Sequence, residues 1–232
     1  MSIKDKYIDI LNLKNDEAVK SGRSPEDITL MAVTKTRTAD EINQAIDAGA
    51  TDIGENKVQE LLEKYEKVKP VRWHLIGHLQ TNKVKNIIDK VVMIHSVDSL
   101  RLAKEIDKRA GNTEIKMDIL IEVNSAMEDT KSGVAWDELK NLTYQIVESC
   151  ENIRVCGLMI IPPPTDDMED SAVYFKEAKS RFDDMRKWDL DADRFSPTVL
   201  SMGMSGDFPV AIREGSTIVR VGSGIFGPRN YR

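Results

Sequence analysis

The chain has 232 residues, long enough to bury one large core, and no proline-, glycine- or serine-rich stretch divides it, so a single domain over residues 1–232 is expected. A net charge of −6 and a pI near 5.3 argue against a nucleic-acid surface, which needs a basic face. No uninterrupted apolar run suits a signal peptide or a spanning helix, and Cys150 and Cys156 lack CxxC spacing; a cytoplasmic protein with reduced thiols, no membrane contact and no metal site is the expectation.

Over residues 3–20, Ile3, Tyr7, Ile10, Leu11 and Val19 recur near helical spacing and predict an opening amphipathic helix. Beyond it, short apolar runs alternate with longer charged segments. The runs predict strands at 28–33, 52–54, 71–76, 91–97, 117–123, 153–161, 198–201 and 217–221. Helices are predicted between them at 39–48, 57–65, 81–89, 99–109, 136–150, 171–188 and 210–213. Runs such as LMAV, DILIEV and CGLMII lack polar alternation, as strands do when both faces are covered. Eight such units predict an α/β fold, a single-domain (β/α)8 TIM barrel with an extra N-terminal helix. The rival, an open doubly wound sheet, announces itself by GxGxxG after its first strand, and AVTKT is not that motif.

In such a barrel the chemistry gathers where the strands end. Lys35 closes the first strand; its amine either forms a Schiff base with a carbonyl compound or snorkels to solvent. Near the end of the chain, LSMGMSGDFPVAIREGSTIVRVGSGIFGPR holds two apolar runs that each end in small hydroxyl and glycine residues. Ser201 and Gly222-Ser223 there form either a phosphate cradle or plain turns. A lysine at one end and a cradle at the other match the aldehyde and the phosphate of pyridoxal phosphate (PLP). Arg220, just before the cradle, either faces the pyridine nitrogen of such a ligand or makes a surface ion pair with Glu214 or another carboxylate. His74 and His78 lie outside any HExxH frame. His78 either contacts a ligand at the mouth or is an ordinary histidine, and His74 packs within its strand. Asp207 reads as the N-cap of a short helix beginning at Phe208-Pro209.

Six blocks in one order carry a resemblance over nearly the whole chain: AVTKT around Lys35, GENKVQE at 54–60, WHLIGHLQTNK at 73–83, VNSAMEDTKSG at 123–133, GLMIIPP at 157–163 and SMGMSGDFPVAIREGSTIVRVGSGIFG at 201–227. They resemble the pyridoxal phosphate homeostasis proteins, a family similar to the N-terminal barrel of alanine racemase. The resemblance implies PLP as cofactor and Lys35 as the Schiff-base lysine. It further implies Ser201, Gly222 and Ser223 as phosphate ligands, Arg220 near the pyridine nitrogen, and Asn56 and His78 lining the pocket mouth. Ile160 and Ser223-Gly224 depart from the residues common in the family, Ser223 keeping a hydroxyl.

Six residues after Phe226 the chain stops, too few for the second domain that supplies alanine racemase with its opposite base, lid and dimer contacts. The expectation is a monomeric, non-catalytic carrier and buffer of PLP that passes it transiently to PLP-dependent apo-enzymes. Its rivals are a small PLP-dependent amino-acid racemase and a cofactor-free barrel enzyme acting on a phosphorylated metabolite.

Overall fold

Ser2 and Asp5 close a capping box, each side chain accepting from the other's backbone N–H, and so start helix α1 (Ile3–Lys20). Lys14 is buried on this helix because its Nζ donates to the carbonyls of Pro25 (2.6 Å) and Ile28 (3.0 Å), which ties α1 to the approach of the first strand. The computed structural model describes residues 1–125 and 132–228. Positions 126–131 of the VNSAMEDTKSG block and 229–232 at the end lie outside the described residues.

The strands are β1 (Thr29–Val33), β2 (Asp52–Glu55), β3 (Arg72–Leu75), β4 (Met93–Val97), β5 (Met117–Val123), β6 (Ile153–Ile160), β7 (Phe195–Ser201) and β8 (Ile218–Val221). Each pairs with the next in sequence, and β8 returns to pair in parallel with β1, Thr29 opposite Ile218, so the sheet is a closed barrel. Helices α2 (Ala39–Asp47), α3 (Val58–Tyr65), α4 (Leu100–Asn112), α5 (Leu139–Ser149), α6 (Ala172–Met185) and α7 (Phe208–Arg213) follow their strands in turn. Thr38 and Glu41 form a second capping box at α2, and Ser99 caps α4. The (β/α)8 barrel with its extra helix is therefore observed, and among the described residues no helix is long and apolar enough to cross a membrane.

Two segments differ from the sequence reading. Residues Thr81–Asn86 form a 3-10 turn instead of an α-helix; threonine and asparagine are weak helix formers, and Val84, Ile87 and Ile88 reach the core without a longer amphipathic face. After β8, Ser223–Phe226 coils into a one-turn helix, α8, which its Gly/Ser composition hid.

The largest apolar cluster lies between strands and helices. Inside the ring are two small clusters, one around Met31, Val33, Ile76 and Ile218 and one around Met93, Leu120, Cys156 and Met159, with Val199 packed against both. Gly157 sits at a register shift between β5 and β6 with φ +142°, and an added Cβ there would come 1.9 Å from the Val199 carbonyl oxygen. Only glycine allows the strands to approach so closely at this bulge.

Candidate functional site

Lys35 lies just beyond β1 and lines a cavity of about 260 Å³ at the end of the barrel where the strands finish. Both of its neighbours are tied down. Thr34 Oγ1 donates to Glu55 Oε2 (3.0 Å), and Thr36, in the left-handed region at φ 62°, donates its N–H to Glu60 Oε2 (2.7 Å). Lys64 on α3 links the two sides: its Nζ donates to Thr34 O (3.0 Å), Glu55 Oε2 (2.8 Å) and Glu60 Oε2 (3.0 Å). Glu55 also accepts from the N–H of Asn56, a further cavity residue (3.1 Å). The buried cluster thus fixes the backbone on either side of Lys35.

Across the cavity are Ser205, Gly206, Gly222 and Ser223. The N–H groups of Gly222 (3.1 Å) and Gly224 (3.3 Å) both donate to Ser205 Oγ, which holds that hydroxyl at one corner with its own proton left to give. Such a corner matches the acceptor oxygens of a phosphate group. Asp207 stands at the N-cap position of α7, as the sequence suggests, but its side chain makes no cap. Its Oδ1 instead accepts from the N–H of Met204 (2.5 Å), which shapes the loop bearing Ser205.

Arg220 lines the floor of the cavity and is otherwise buried. Its Nη1 donates to Ser201 Oγ (2.8 Å) and its Nη2 to the carbonyl of Ile160 (2.9 Å). The surface alternative fails, because the guanidinium is buried and donates to Ser201 and Ile160, while Glu214 pairs with Arg213. Burial lowers the Arg220 guanidinium to about 10, against the pull of Asp207 and Glu122, so it stays charged at neutral pH.

Of the residues proposed from sequence, the structure brings Lys35, Asn56, Arg220, Gly222 and Ser223 to one cavity. Ser201 and His78 are not brought there. Ser201 ends β7 fully buried between Arg220 and His95, so its hydroxyl is already occupied, and Ser205 stands at the mouth in its place. His78 is exposed, its Nδ1 3.9 Å from an Asp98 carboxylate oxygen, while its neighbour Leu79 takes the buried position. Arg37 was missed. It lines the cavity and donates through Nη2 to the carbonyls of Gly227 (2.6 Å) and Pro228 (2.9 Å), joining the β1–α2 loop to the end of α8.

Glu122 on β5 is also buried, and its Oε2 has no hydrogen-bond partner among the described residues. Burial, reinforced by Asp98 and opposed by Arg220, pushes its carboxyl up to about 7. The folded state then holds a proton that the unfolded chain has released, so this group costs stability as pH rises from the ordinary carboxylate range to about 7. Glu122→Gln is expected to match the wild type near pH 4 and to be more stable near pH 8, by up to about 3 kcal/mol. Thermal unfolding at both pH values checks this, and an equal difference at the two would refute the titration.

Fold and cavity define a barrel of the alanine racemase N-terminal class, a family that matches residues 8–230. A pyridoxal phosphate homeostasis protein of Aquifex aeolicus is 44% identical over 215 residues, covering 91% of this chain and 92% of that one. The one of Escherichia coli K12 is 37% identical over 226 residues, with 92% and 91% covered. PipY of Synechococcus elongatus, solved with PLP bound, superposes with a TM-score of 0.79 at 31% identity, over 93% of this chain and all of that one. An alanine racemase of Clostridium difficile shares the fold at 16% identity with a TM-score of 0.67, over 94% of this chain and 56% of that one. The chain belongs to the pyridoxal phosphate homeostasis protein family.

Proposed function

We propose that this protein binds PLP as a Schiff base on Lys35 and serves as its carrier and buffer inside the cell, without turning amino acids over at enzymatic rates. The observation that carries this reading is the shared cavity, with Lys35 on one side and the Ser205, Gly222 and Ser223 corner on the other. The donor set fits the group: an amine for the aldehyde, the Ser205 and Ser223 hydroxyls beside the Gly222 turn for the phosphate, and a charged guanidinium on the same cavity. The binding of PLP by PipY, at 31% identity, supports the same assignment.

PLP brings an electron-withdrawing ring that, where its nitrogen is protonated, stabilises a carbanion next to it. Arg220 can only donate, and a ring nitrogen that accepts from it stays unprotonated, which weakens that withdrawal. Among the described residues, the ionisable groups lining the cavity are Lys35, Arg37 and Arg220. All three are cationic when charged, and none is a carboxylate, tyrosine or histidine suited to a second proton transfer opposite Lys35. Both features favour a carrier over a racemase. We also propose that it acts in the cytoplasm as a monomer, with PLP-dependent apo-enzymes as transient recipients.

Two measurements test this function. PLP-loaded protein mixed with an apo-enzyme is expected to restore its activity. Deuterium exchange at the α-carbon of a panel of amino acids is expected to stay far below about 1 per second, and exchange at or above that rate rejects the carrier. For the phosphate corner, Ser205→Ala is expected to weaken PLP about tenfold, equivalent to about 1.4 kcal/mol, by removing one hydroxyl from the group. An absorbance titration reads this directly, and an unchanged affinity would place the phosphate elsewhere.

A further inference from the structure

The inside of the barrel holds a row of polar side chains that apolar packing does not require. Arg220 on β8, Ser201 on β7, His95 on β4, His74 on β3 and Asp52 on β2 are each 4% exposed or less. They touch in that order: Arg220 Nη1 to Ser201 Oγ (2.8 Å), Ser201 Oγ to His95 Nδ1 (3.2 Å), His95 Nε2 to His74 Nδ1 (3.0 Å), and His74 Nε2 to Asp52 Oδ1 (2.9 Å). Strands β4 and β7 are not neighbours, so the link between His95 and Ser201 crosses the interior. We propose that Asp52, His74, His95 and Ser201 form a one-way hydrogen-bond chain that positions Arg220 at the cavity floor.

Donor and acceptor chemistry sets the direction, and the two ends fix it together. A guanidinium only donates, so Ser201 Oγ accepts from Arg220. An ionised Asp52 only accepts, so His74 donates to it from Nε2, the bare His74 Nδ1 accepts from His95 Nε2, and His95 Nδ1 is left to accept the Ser201 proton. Each ring is then neutral and carries its proton on Nε2. Every donor finds an acceptor, and none is left over. Protonating His74 would set two N–H groups against each other, and protonating His95 would leave the Ser201 proton without a partner. Burial, the largest influence on both rings, holds each histidine below its ordinary value; His74 and Arg220 add to the effect at His95, and Asp52 opposes it at His74. Burial also resists ionisation of Asp52, but hydrogen bonds from His74 and Thr51, with the charge of Arg72, keep its carboxyl below the usual range. The chain therefore runs from a cation at the cavity to an anion on β2, with two neutral rings between.

For Arg220 the consequence is a fixed plane. Nη1 is held by the chain and Nη2 by the Ile160 carbonyl, while Asp207 and Glu122 act on it only through space. Three of its five N–H groups remain for other acceptors. The inference deepens the PLP reading and rests on it for what Arg220 meets in the cavity, but the chain itself can be examined without the cofactor.

Nitrogen-15 side-chain NMR of the full chain without PLP is expected to find both rings neutral, with the proton on Nε2, between about pH 5 and 8. A ring protonated on Nδ1, or charged, overturns the chain. In Ser201→Ala the guanidinium protons of Arg220 are expected to exchange with water at least about tenfold faster, and Ser201→Thr is expected to restore slow exchange. Equal rates in Ser201→Ala and the wild type overturn the positioning role. On adding PLP, Ser201→Ala is expected to bind about tenfold more weakly and to shift the visible band, and Asp52→Asn to act in the same direction but less. Wild-type affinity and band in Ser201→Ala would refute the inference even if the histidines behave as expected. Failure of the wild type to take up PLP would instead defeat the reading of the cavity, and the two NMR results would still decide the chain.

Discussion

Lys35→Ala is expected to stay colourless with PLP while the wild type turns yellow, and to bind PLP at least about 100-fold more weakly, a loss of about 3 kcal/mol. If Lys35 holds PLP as proposed, its amine would add to the aldehyde carbon with loss of water, and the conjugated carbon–nitrogen double bond so formed would absorb visible light. Alanine has no nitrogen to form it. The Ser205, Gly222 and Ser223 corner and Arg220 remain in the variant, so some affinity should survive. Lys35→Arg separates charge from chemistry: the cavity keeps its cation, but a guanidinium that stays protonated does not condense with the aldehyde. It should be colourless too, yet bind more tightly than Lys35→Ala. Absorbance and equilibrium dialysis follow the two quantities, and a yellow Lys35→Ala would show that another lysine carries the group.

Lys64→Met is expected to destabilise the fold by about 3 to 5 kcal/mol, although position 64 lies on a helix outside the barrel. The methionine fills much of the space but leaves Glu55 without its partner, and Glu55 is fully buried. Burial already raises the Glu55 carboxyl despite the opposing charge of Lys64. Without that charge it must rise further, so the native state takes up a proton that the unfolded chain lacks. The deficit should therefore widen as pH increases from the ordinary carboxylate range. Urea unfolding of the single variant and of Lys64→Met with Glu55→Gln measures the coupling, and the second change should recover part of the loss. A single-variant effect below about 1 kcal/mol would mean that the cluster is not a unit. Because Thr34 and Thr36 hang from the same cluster, the variant should also slow the appearance of the PLP colour.

The barrel was legible in the sequence because its signal is local. LMAV, DILIEV and CGLMII are strands covered on both faces, and each charged stretch between strands supplies a crossover. Lys35 was legible for a related reason, since a polar residue just past an apolar run lies at the mouth, and Arg220 because a lone charge inside a buried strand has to face something polar. The first of these rules also misled at Ser201. It is the last residue of β7, but it lies inside the ring beside Arg220, and the chain needs Met202, Gly203 and Met204 to climb out before Ser205 reaches the cavity. Gly203, at φ +91° with Ala211 against the place of a Cβ, marks that climb and was the available clue. The links of His95 to Ser201 and of Lys64 to Glu55 join strands and helices by tertiary contact alone, and no local pattern announces such pairs. Glu60, four positions before Lys64, is a local helical partner, but the second carboxylate of Lys64 comes from a strand.

The pairing of β8 with β1 also bears on how the molecule is made. Thr29 meets Ile218 across almost the whole chain, one of the costliest loops this sequence can close, so the seam is expected to form late. Lys35 stands on one side of that seam, and Ser205, Arg220 and Gly222 stand on the other. A partly synthesised barrel carries the lysine but not its partners, and it offers a reactive aldehyde no complete place to rest. Capture of the ligand should therefore report that the last strand has docked, which makes its onset a clock for the final step of folding.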